Sequence, residues 1–348
     1  MKRAVLGVLL GAAILPGSAG APSVRWELPA GFRIETYASG LESPTAMAFG
    51  PDGRLYVTQE GGTLVVARRG SRRPVVVARS LRSPLGLAWH GRLLFVSQQG
   101  RLERFVLRGR RLGARRTLVR GLPFGRHQQD NVVVGADGRL YLGSGSTCDV
   151  CRERDRRSAA ILSLRRDGRD LRVVARGLRN PFGLAVQPRT GRLYASVNER
   201  DELGTAARPE PAESVVIVRP GAHYGWPRCW PSYWRKRLVG RCRGVTRPIA
   251  YLEPHSSADG IAFYTGDTFP EQYRGDLFVA LWGQYDSERH GRRVVRLDLL
   301  PDGRSRRVRE FAGGFDHPLA LAVDPLGGLL VADWGRGVIY RIQARGAR

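Results

Sequence analysis

The feature that most constrains this chain is a repeat that occurs six times along it. Each copy consists of an apolar run, a turn that contains glycine, and a second apolar run rich in Val, Leu, Ala and Tyr. Because Gly and Asp-Gly supply the positive φ that tight hairpin turns need, each copy predicts two buried antiparallel strands. The six copies span residues 44–60, 84–100, 130–146, 181–199, 258–283 and 318–335.

Further strand pairs fill the spaces between copies and bring each unit to about four strands. Pairs with Arg-rich turns lie at 63–79, 101–119, 160–175 and 293–311. Units of this kind close radially, which leaves only short protected edges. Residues 32–38 precede the first unit and 337–343 end the chain, so pairing between them would close the ring. The sequence therefore predicts an all-β, six-bladed β-propeller with four-stranded antiparallel blades, closed by its N- and C-terminal strands.

The first 21 residues have the pattern of a cleaved secretory signal. Lys2 and Arg3 are followed by an apolar run over 4–15 and by small residues at 19–21. The apolar run is too short for a membrane-spanning helix, which needs about 20 residues. We expect a signal peptide over 1–21 and one domain over 22–348 that is secreted or periplasmic and does not span a membrane.

The formal net charge is +26, a value that is common among nucleic-acid-binding proteins. Composition argues against a nucleic-acid partner, because Lys occurs only at positions 2 and 236 and the Arg residues are spread over many turns. We interpret the charge as a solvated Arg-rich surface, with an affinity for polyanions left open. Anionic ligands should be attracted in either case.

Four cysteines in an exported chain favour disulfides over free thiols. Cys148 pairs most simply with Cys151, and Cys229 with Cys242, although two other connectivities are possible. The spacing of Cys148 and Cys151 also suits half a zinc site or a redox pair, but no second Cys or His pair follows at ligand spacing.

Strand alternation places two families of loops at one mouth of the channel: the loops before each first strand and those after each second strand. His127 lies in such a loop, where a neutral imidazole can act as a general base, although a lone histidine can also be structural. Arg179 and Asn180 precede the fourth unit. They offer a guanidinium fork and an amide for an anionic ligand, or alternatively hydrogen bonds to strand-end carbonyls.

The loop after the second strand of the fourth unit is rich in oxygen ligands. Asn198, Glu199 and Asp201 follow one another closely, and a hard cation such as calcium takes six to eight oxygen ligands. The alternative is an exposed acidic loop without a metal. The sequence leaves both interpretations open.

Several motifs together resemble the soluble pyrroloquinoline quinone (PQQ)-dependent glucose/sorbosone dehydrogenase family, particularly its sorbosone-dehydrogenase-like branch. The similarity covers nearly all of the mature chain. The motifs are His127 followed by Asn131 and GADGRLYLGSGS (135–146), GLRNPFGLAV (177–186), NERD (198–201), HYGWPRC (223–229) and the segment 260–283.

This resemblance implies a dehydrogenase that oxidises a sugar or sugar-derived alcohol or aldehyde. It implies PQQ lying flat over the channel mouth, with calcium bridging the cofactor and loop carbonyls. His127 would take the substrate hydroxyl proton while hydride passes to the quinone, and Arg179 would stabilise the developing oxygen charge. The residues assigned to cofactor binding are Asn180, Arg200, Trp282, Arg289 and Arg292.

The chain departs from glucose-oxidising members of that family at one position. Where those proteins carry an acidic residue that orients the catalytic histidine, this chain has Ser146. Asp130 or Asp149 would be the substitutes. If neither takes that place, we expect His127 to be a poorer base, with a slow reaction or a different substrate.

Two other functional classes fit the same fold. One is a calcium-dependent lactonase or esterase, which would need carboxylate or Asn side chains from different blades to meet at the metal. The other is a non-catalytic propeller that binds a sugar or another protein. Cys151 is followed by Arg152, so these cysteines do not form a haem-attachment motif. A dehydrogenase of this kind would therefore pass its electrons to a separate acceptor such as a cytochrome or a quinone.

Overall fold

The structure is a computed structural model that describes residues 24–201, 203–205, 208–285 and 289–346. The predicted signal peptide at 1–21 lies outside the described residues. Within the described residues, no helix is long and apolar enough to cross a membrane. The secondary structure of these described ranges consists of strands, numbered β1 to β29, and one short 3-10 helix at Glu271–Tyr273.

The strands form six antiparallel blades, described here from the innermost strand outwards. Blade 1 has β2 (Pro44–Phe49), β3 (Leu55–Gln59), β4 (Thr63–Ala67) and β5 (Val75–Ala78). Blade 2 has β6 (Gly86–His90), β7 (Leu93–Gln98), β8 (Arg101–Arg108) and β10 (Arg116–Arg120), with β9 (Arg111–Leu112) beside β8. Blade 3 has β11 (Gln129–Val134), β12 (Leu140–Ser144), β13 (Ala160–Leu164) and β14 (Arg172–Arg176).

The other three blades follow the same pattern. Blade 4 has β15 (Leu184–Val186), β16 (Leu193–Val197), β19 (Glu213–Ile217) and β22 (Ala250–Leu252). Blade 5 has β23 (Ala258–Phe263), β24 (Leu277–Leu281), β25 (Arg293–Leu299) and β26 (Ser305–Gly313). Blade 6 has β27 (Pro318–Val323), β28 (Leu329–Asp333), β29 (Val338–Ala344) and β1 (Phe32–Ala38).

The blades close into a ring. Their innermost strands contact one another in the cyclic order β2, β6, β11, β15, β23, β27 and back to β2. The N-terminal strand β1 pairs antiparallel with the C-terminal strand β29, from Phe32 opposite Ala344 to Ala38 opposite Ile339. The predicted six-bladed propeller and its closure by the terminal strands are therefore confirmed.

The repeated Asp-Gly-Arg turns explain why the copies share a sequence. Gly53 has φ +74°, a conformation that other residues rarely adopt. Asp52 accepts the backbone N–H of Arg54 at 3.2 Å and the hydroxyl of Tyr56 at 3.0 Å, so one carboxylate holds the turn and the strand after it. The corresponding turn of blade 3 repeats both contacts around Asp137.

Insertions interrupt blade 4. A hairpin of β17 (Leu203–Thr205) and β18 (Arg208–Glu210) follows β16, and a hairpin of β20 (Cys229–Ser232) and β21 (Arg237–Gly240) precedes β22. The second hairpin is fastened by a disulfide between Cys229 and Cys242. Cys148 and Cys151 form the other disulfide, so both local pairs are present and all four sulfurs are used.

Apolar clusters lie between neighbouring blades. The cluster between blades 5 and 6 includes Phe32, the first residue of the closing strand, which is 4% exposed. Its ring centroid lies 4.8 Å from that of Phe269 and 5.3 Å from those of Tyr273 and Phe311. The closing strand is thus anchored by aromatic packing in addition to its backbone pairing.

We predict that Phe32→Ala lowers the free energy of unfolding by about 3–5 kcal/mol, because it removes a buried ring and leaves a cavity at the closure. Phe124→Ala is the matched control, since Phe124 is 50% exposed; it should change stability by less than about 1 kcal/mol. Urea unfolding measures both. Similar losses in the two variants would contradict anchoring of the ring through Phe32.

Candidate functional site

A polar cavity of about 650 Å³ opens at one mouth of the channel. Its walls come from loops of blades 3, 4, 5 and 6, with smaller contributions from blades 1 and 2. A separate cavity of about 340 Å³ between the inner strands is lined mainly by apolar residues such as Met47, Val132 and Ile261. The chemistry-bearing side chains therefore gather at one mouth, as strand alternation predicts.

His127 lies in the loop before β11 and lines the cavity. Its Nδ1 is 2.9 Å from the Ser146 Oγ, and its backbone N–H donates to the Ser146 carbonyl at 3.0 Å. Burial, followed by the positive charges of Arg179 and Arg126, lowers the pKa of His127 to about 3. The imidazole is therefore neutral over the ordinary pH range, which is the state a general base requires.

Arg179 is 2% exposed and its guanidinium is fixed on several sides. The Nη2 contacts the Asp149 Oδ1 at 2.5 Å, and the Nε donates to the Asp149 carbonyl at 3.2 Å. The Nη1 donates to the Glu199 carbonyl at 2.8 Å. A buried cation with this many fixed contacts can stabilise negative charge in the cavity without reorganising.

Several side-chain oxygens at the cavity wall have no hydrogen-bond partner among the described residues: the Oδ1 atoms of Asn180 and Asn198, and the Oε2 of Glu199. The Asn198 Nδ2 is used, because it donates to the Asp259 Oδ1 at 2.8 Å. Burial raises the pKa of Glu199 to about 7. Buried oxygens of this kind are the donors that calcium prefers.

Asp201 also lines the cavity, and its carboxylate lies beside two other side chains. Its Oδ2 lies 3.0 Å from the Arg126 Nη2, and its Oδ1 lies 3.7 Å from the His255 Nδ1.

Trp282 forms an aromatic wall of the cavity. Its ring centroid lies 4.5 Å from that of Tyr285 and 4.2 Å from that of His317.

All three arginines assigned to cofactor binding lie outside the cavity lining in the described structure. The Arg200 Nη2 donates to the Pro227 carbonyl at 2.5 Å, and its guanidinium lies 5.3 Å from the Trp230 ring centroid, within the inserted hairpin. The Arg292 Nη1 contacts the Asp316 Oδ1 at 3.1 Å. Arg289 is exposed and adjoins residues outside the described range.

The structure thus brings seven predicted residues together: His127, Arg179, Asn180, Asn198, Glu199, Asp201 and Trp282. It adds two buried acids that the sequence analysis missed, Glu213 and Asp259. The Glu213 Oε2 accepts the backbone N–H of Glu199 at 2.6 Å. Burial raises the pKa of both carboxyl groups, that of Asp259 to about 8. Their signal in the sequence is an acid placed within an otherwise apolar strand.

The expected substitutes for the missing acid at position 146 lie elsewhere. The Asp149 side chain pairs with Arg179, and Asp130 is buried with its Oδ2 unpaired among the described residues. The group that contacts the His127 ring is the Ser146 hydroxyl itself.

The fold and the cavity define a closed propeller whose polar mouth suits an anionic ligand together with a cation. A family model described as Glucose / Sorbosone dehydrogenase matches residues 41–332. The aldose sugar dehydrogenase YliI of Escherichia coli K12 is 23% identical over 367 residues, covering 89% of this chain and 94% of that protein.

Solved structures of similar fold include two sugar dehydrogenases. The holo form of the PQQ domain of pyranose dehydrogenase from Coprinopsis cinerea aligns with a TM-score of 0.79 and 19% identity, covering 92% of this chain and 98% of that one. The PQQ-bound aldose sugar dehydrogenase of Streptomyces coelicolor aligns with a TM-score of 0.69 and 23% identity, covering 91% and 99%. The chain belongs to the glucose/sorbosone dehydrogenase family.

We predict that His127→Gln makes the protein less sensitive to acid. An imidazole in the unfolded chain has a pKa near 6.5, whereas burial lowers that of His127 to about 3. The unfolded state therefore binds more protons between these values, and stability is lost as pH falls through this range. The loss attributable to His127 is at most about 1.4 kcal/mol per pH unit.

Urea unfolding between about pH 7.5 and about pH 5 tests this. His127→Gln should lose less stability than the wild type on acidification, whereas the exposed-site control His90→Gln should follow the wild type. Equal slopes for all three proteins would show that His127 is not a buried neutral imidazole.

Proposed function

We propose that this protein is a PQQ- and calcium-dependent sugar dehydrogenase, which oxidises a sugar or sugar-derived alcohol or aldehyde at the polar mouth of the propeller. The observation that carries the proposal is the placement of a neutral imidazole, His127, and a buried guanidinium, Arg179, in the wall of one cavity. Family membership and the PQQ-binding relatives support the same chemistry.

The residues present fit both groups. PQQ is a planar anion, and the mouth offers the positive charges of Arg126 and Arg179 with the aromatic face of Trp282. Asn180, Asn198 and Glu199 present oxygens that have no hydrogen-bond partner in the part of the chain that the structure describes, and such oxygens fit calcium. The further arginines assigned to the cofactor remain predictions, because Arg200 and Arg292 contact other groups.

When bound, PQQ supplies the hydride acceptor. The residues of the chain bind and orient the substrate and accept its proton. His127 accepts the proton of the substrate hydroxyl. Its low pKa keeps the ring neutral but also makes it a weak base, because the Ser146 hydroxyl beside the ring adds no negative charge that would raise the pKa. Arg179 stabilises negative charge that develops beside it, a contribution of about 3–4 kcal/mol in comparable sites.

We also propose that the protein acts outside the cytoplasm, after removal of residues 1–21, and passes electrons to a separate acceptor. The composition of the leader and the two disulfides support export.

A calcium-dependent lactonase remains the second candidate, and one observation favours it. Such a site needs oxygen ligands from different blades, whereas the sequence showed acids clustered in one loop. In the structure Asp259 of blade 5 hydrogen-bonds Asn198 of blade 4 at the cavity wall. If PQQ does not bind, hydrolysis of lactones in the presence of calcium is the assay to perform next.

We predict that His127→Ala slows substrate-driven reduction of bound PQQ by about 10²–10⁴-fold, because it removes the general base. The reduction is followed by the quinone absorbance after aldoses, sorbosone or simple alcohols are added to protein reconstituted with PQQ and calcium. His90→Ala, at an exposed position on β6, is the control. A His127→Ala variant that retains the wild-type rate would contradict the assigned role.

We predict that Asn198→Ala weakens calcium binding by at least about tenfold, equivalent to about 1.4 kcal/mol. Thermal unfolding at increasing calcium concentration measures the affinity. Asn131→Ala is the matched control, because the Asn131 Oδ1 already accepts the backbone N–H of Val132 at 2.8 Å. Equal calcium affinity in Asn198→Ala and wild type would remove Asn198 from the metal site.

A further inference from the structure

The environment of His127 fixes which ring nitrogen carries the proton. The Ser146 Oγ lies 2.8 Å from the Cys148 carbonyl, and because a carbonyl only accepts, the serine must donate its hydroxyl hydrogen there. The same Oγ lies 2.9 Å from the His127 Nδ1. With its hydrogen used, the oxygen can only accept from His127. The Nδ1 is therefore protonated, and the Nε2 keeps its lone pair.

The contacts of the Ser146 hydroxyl are shielded from solvent. Ser146 is 0% exposed, so water does not compete with these contacts.

The segment that supplies the Cys148 carbonyl also holds Arg179. The Cys148–Cys151 disulfide closes this short loop, and Asp149 inside it contacts the Arg179 guanidinium through both its side chain and its carbonyl. The next residue after Ser146 is fixed as well, because Thr147 donates its hydroxyl to the Glu153 Oε2 at 2.7 Å. One disulfide-closed loop thus contacts Arg179 directly and His127 through the Ser146 hydroxyl.

We propose that Ser146 and the Cys148 carbonyl form a neutral hydrogen-bond relay that positions His127 with the Nε2 as the base. Ser146 is a positioning residue, since it acts through His127. The inference deepens the proposed function and rests on it for its catalytic meaning, although the protonation of His127 is a property of the protein alone.

A hydroxyl differs from a carboxylate in its effect on the imidazole. A carboxylate beside the ring would stabilise the imidazolium and raise its pKa, whereas a hydroxyl adds no charge. The other charged groups that act on the ring are Arg126 on its own loop, Arg179 on the loop before β15, and Asp201 on the loop after β16. A substitution at position 146 leaves these three side chains themselves in place, so a shift of the pH profile reports the group that is introduced there.

The protonation of His127 can be measured without cofactor. In protein carrying ¹⁵N-labelled histidine, long-range ¹H–¹⁵N spectra distinguish the two tautomers, and the spectrum of His127→Gln assigns the signal. We expect wild-type His127 to carry its proton on Nδ1. Ser146→Ala should shift the population toward the Nε2–H form and lower kcat about 10–100-fold, with little change in KM.

Ser144→Ala is the matched control, because Ser144 is also 0% exposed, ends β12 and contacts Gln129 rather than His127. It should leave both the tautomer and kcat unchanged. Ser146→Asp should raise the pH of the acid limb of kcat/KM by at least about one unit, since a carboxylate raises the imidazole pKa. The double variant Cys148→Ser, Cys151→Ser should reproduce part of the Ser146→Ala effect.

An Nε2–H tautomer in the wild type, or an unchanged tautomer in Ser146→Ala, would overturn the relay. So would a Ser146→Asp profile that does not move. If the tautomers behave as expected but no substrate reduces PQQ, the relay stands and the proposed dehydrogenase function fails. Thermal unfolding of each variant confirms that the comparison is made between folded proteins.

Discussion

The structure depends on the pairing of β1 with β29. Without β1, strand β29 would expose an edge, and blade 6 would lose both its outermost strand and the aromatic anchor at Phe32. The same pairing also matters for the functional cavity at the channel mouth. His127 of blade 3 and Trp282 of blade 5 face one cavity only because the inner strands are held in a closed cycle. Ring closure is therefore a condition for the site as well as for stability.

The architecture was predictable because each blade repeats the same pattern of two apolar strands joined by a glycine-containing turn. Alternating apolar runs, Asp-Gly turns and unpaired terminal segments all pointed to one topology, which is the consistency that specifies a fold. The hairpins β17–β18 and β20–β21 were not predicted, since an insertion in one blade has no counterpart in the repeat. Of their features, the sequence showed the spacing of Cys229 and Cys242, which correctly indicated a local disulfide.

The site was predictable to the level of its loops but not of its side chains. Strand alternation placed the loops of Arg179 and Arg200 at the same mouth, yet of these two arginines Arg179 lines the cavity and Arg200 does not. Arg200 is drawn the other way by the Pro227 carbonyl and the Trp230 ring, which arrive from an insertion about thirty residues downstream. Asp259 was missed for a related reason. A single acid in an apolar strand does not reveal its role, which depends on Asn198 of the neighbouring blade that the fold brings beside it.

The cavity wall combines buried positive charge with buried oxygens for which no described residue supplies a hydrogen bond. Each unpaired buried polar atom costs about 1–3 kcal/mol, and desolvation of Arg179 is compensated in the protein by Asp149 and the Glu199 carbonyl. A cation bound to these oxygens would satisfy them, and an anion bound beside Arg179 and Arg126 would add to the contacts that these arginines already make. Ligand binding and stability should then be linked, because whatever binds only the folded state stabilises it. Burial is the main cause of the low pKa of His127, and the charges of Arg179 and Arg126 lower it further, so ligands that bind here would enter a site in which the imidazole is already neutral.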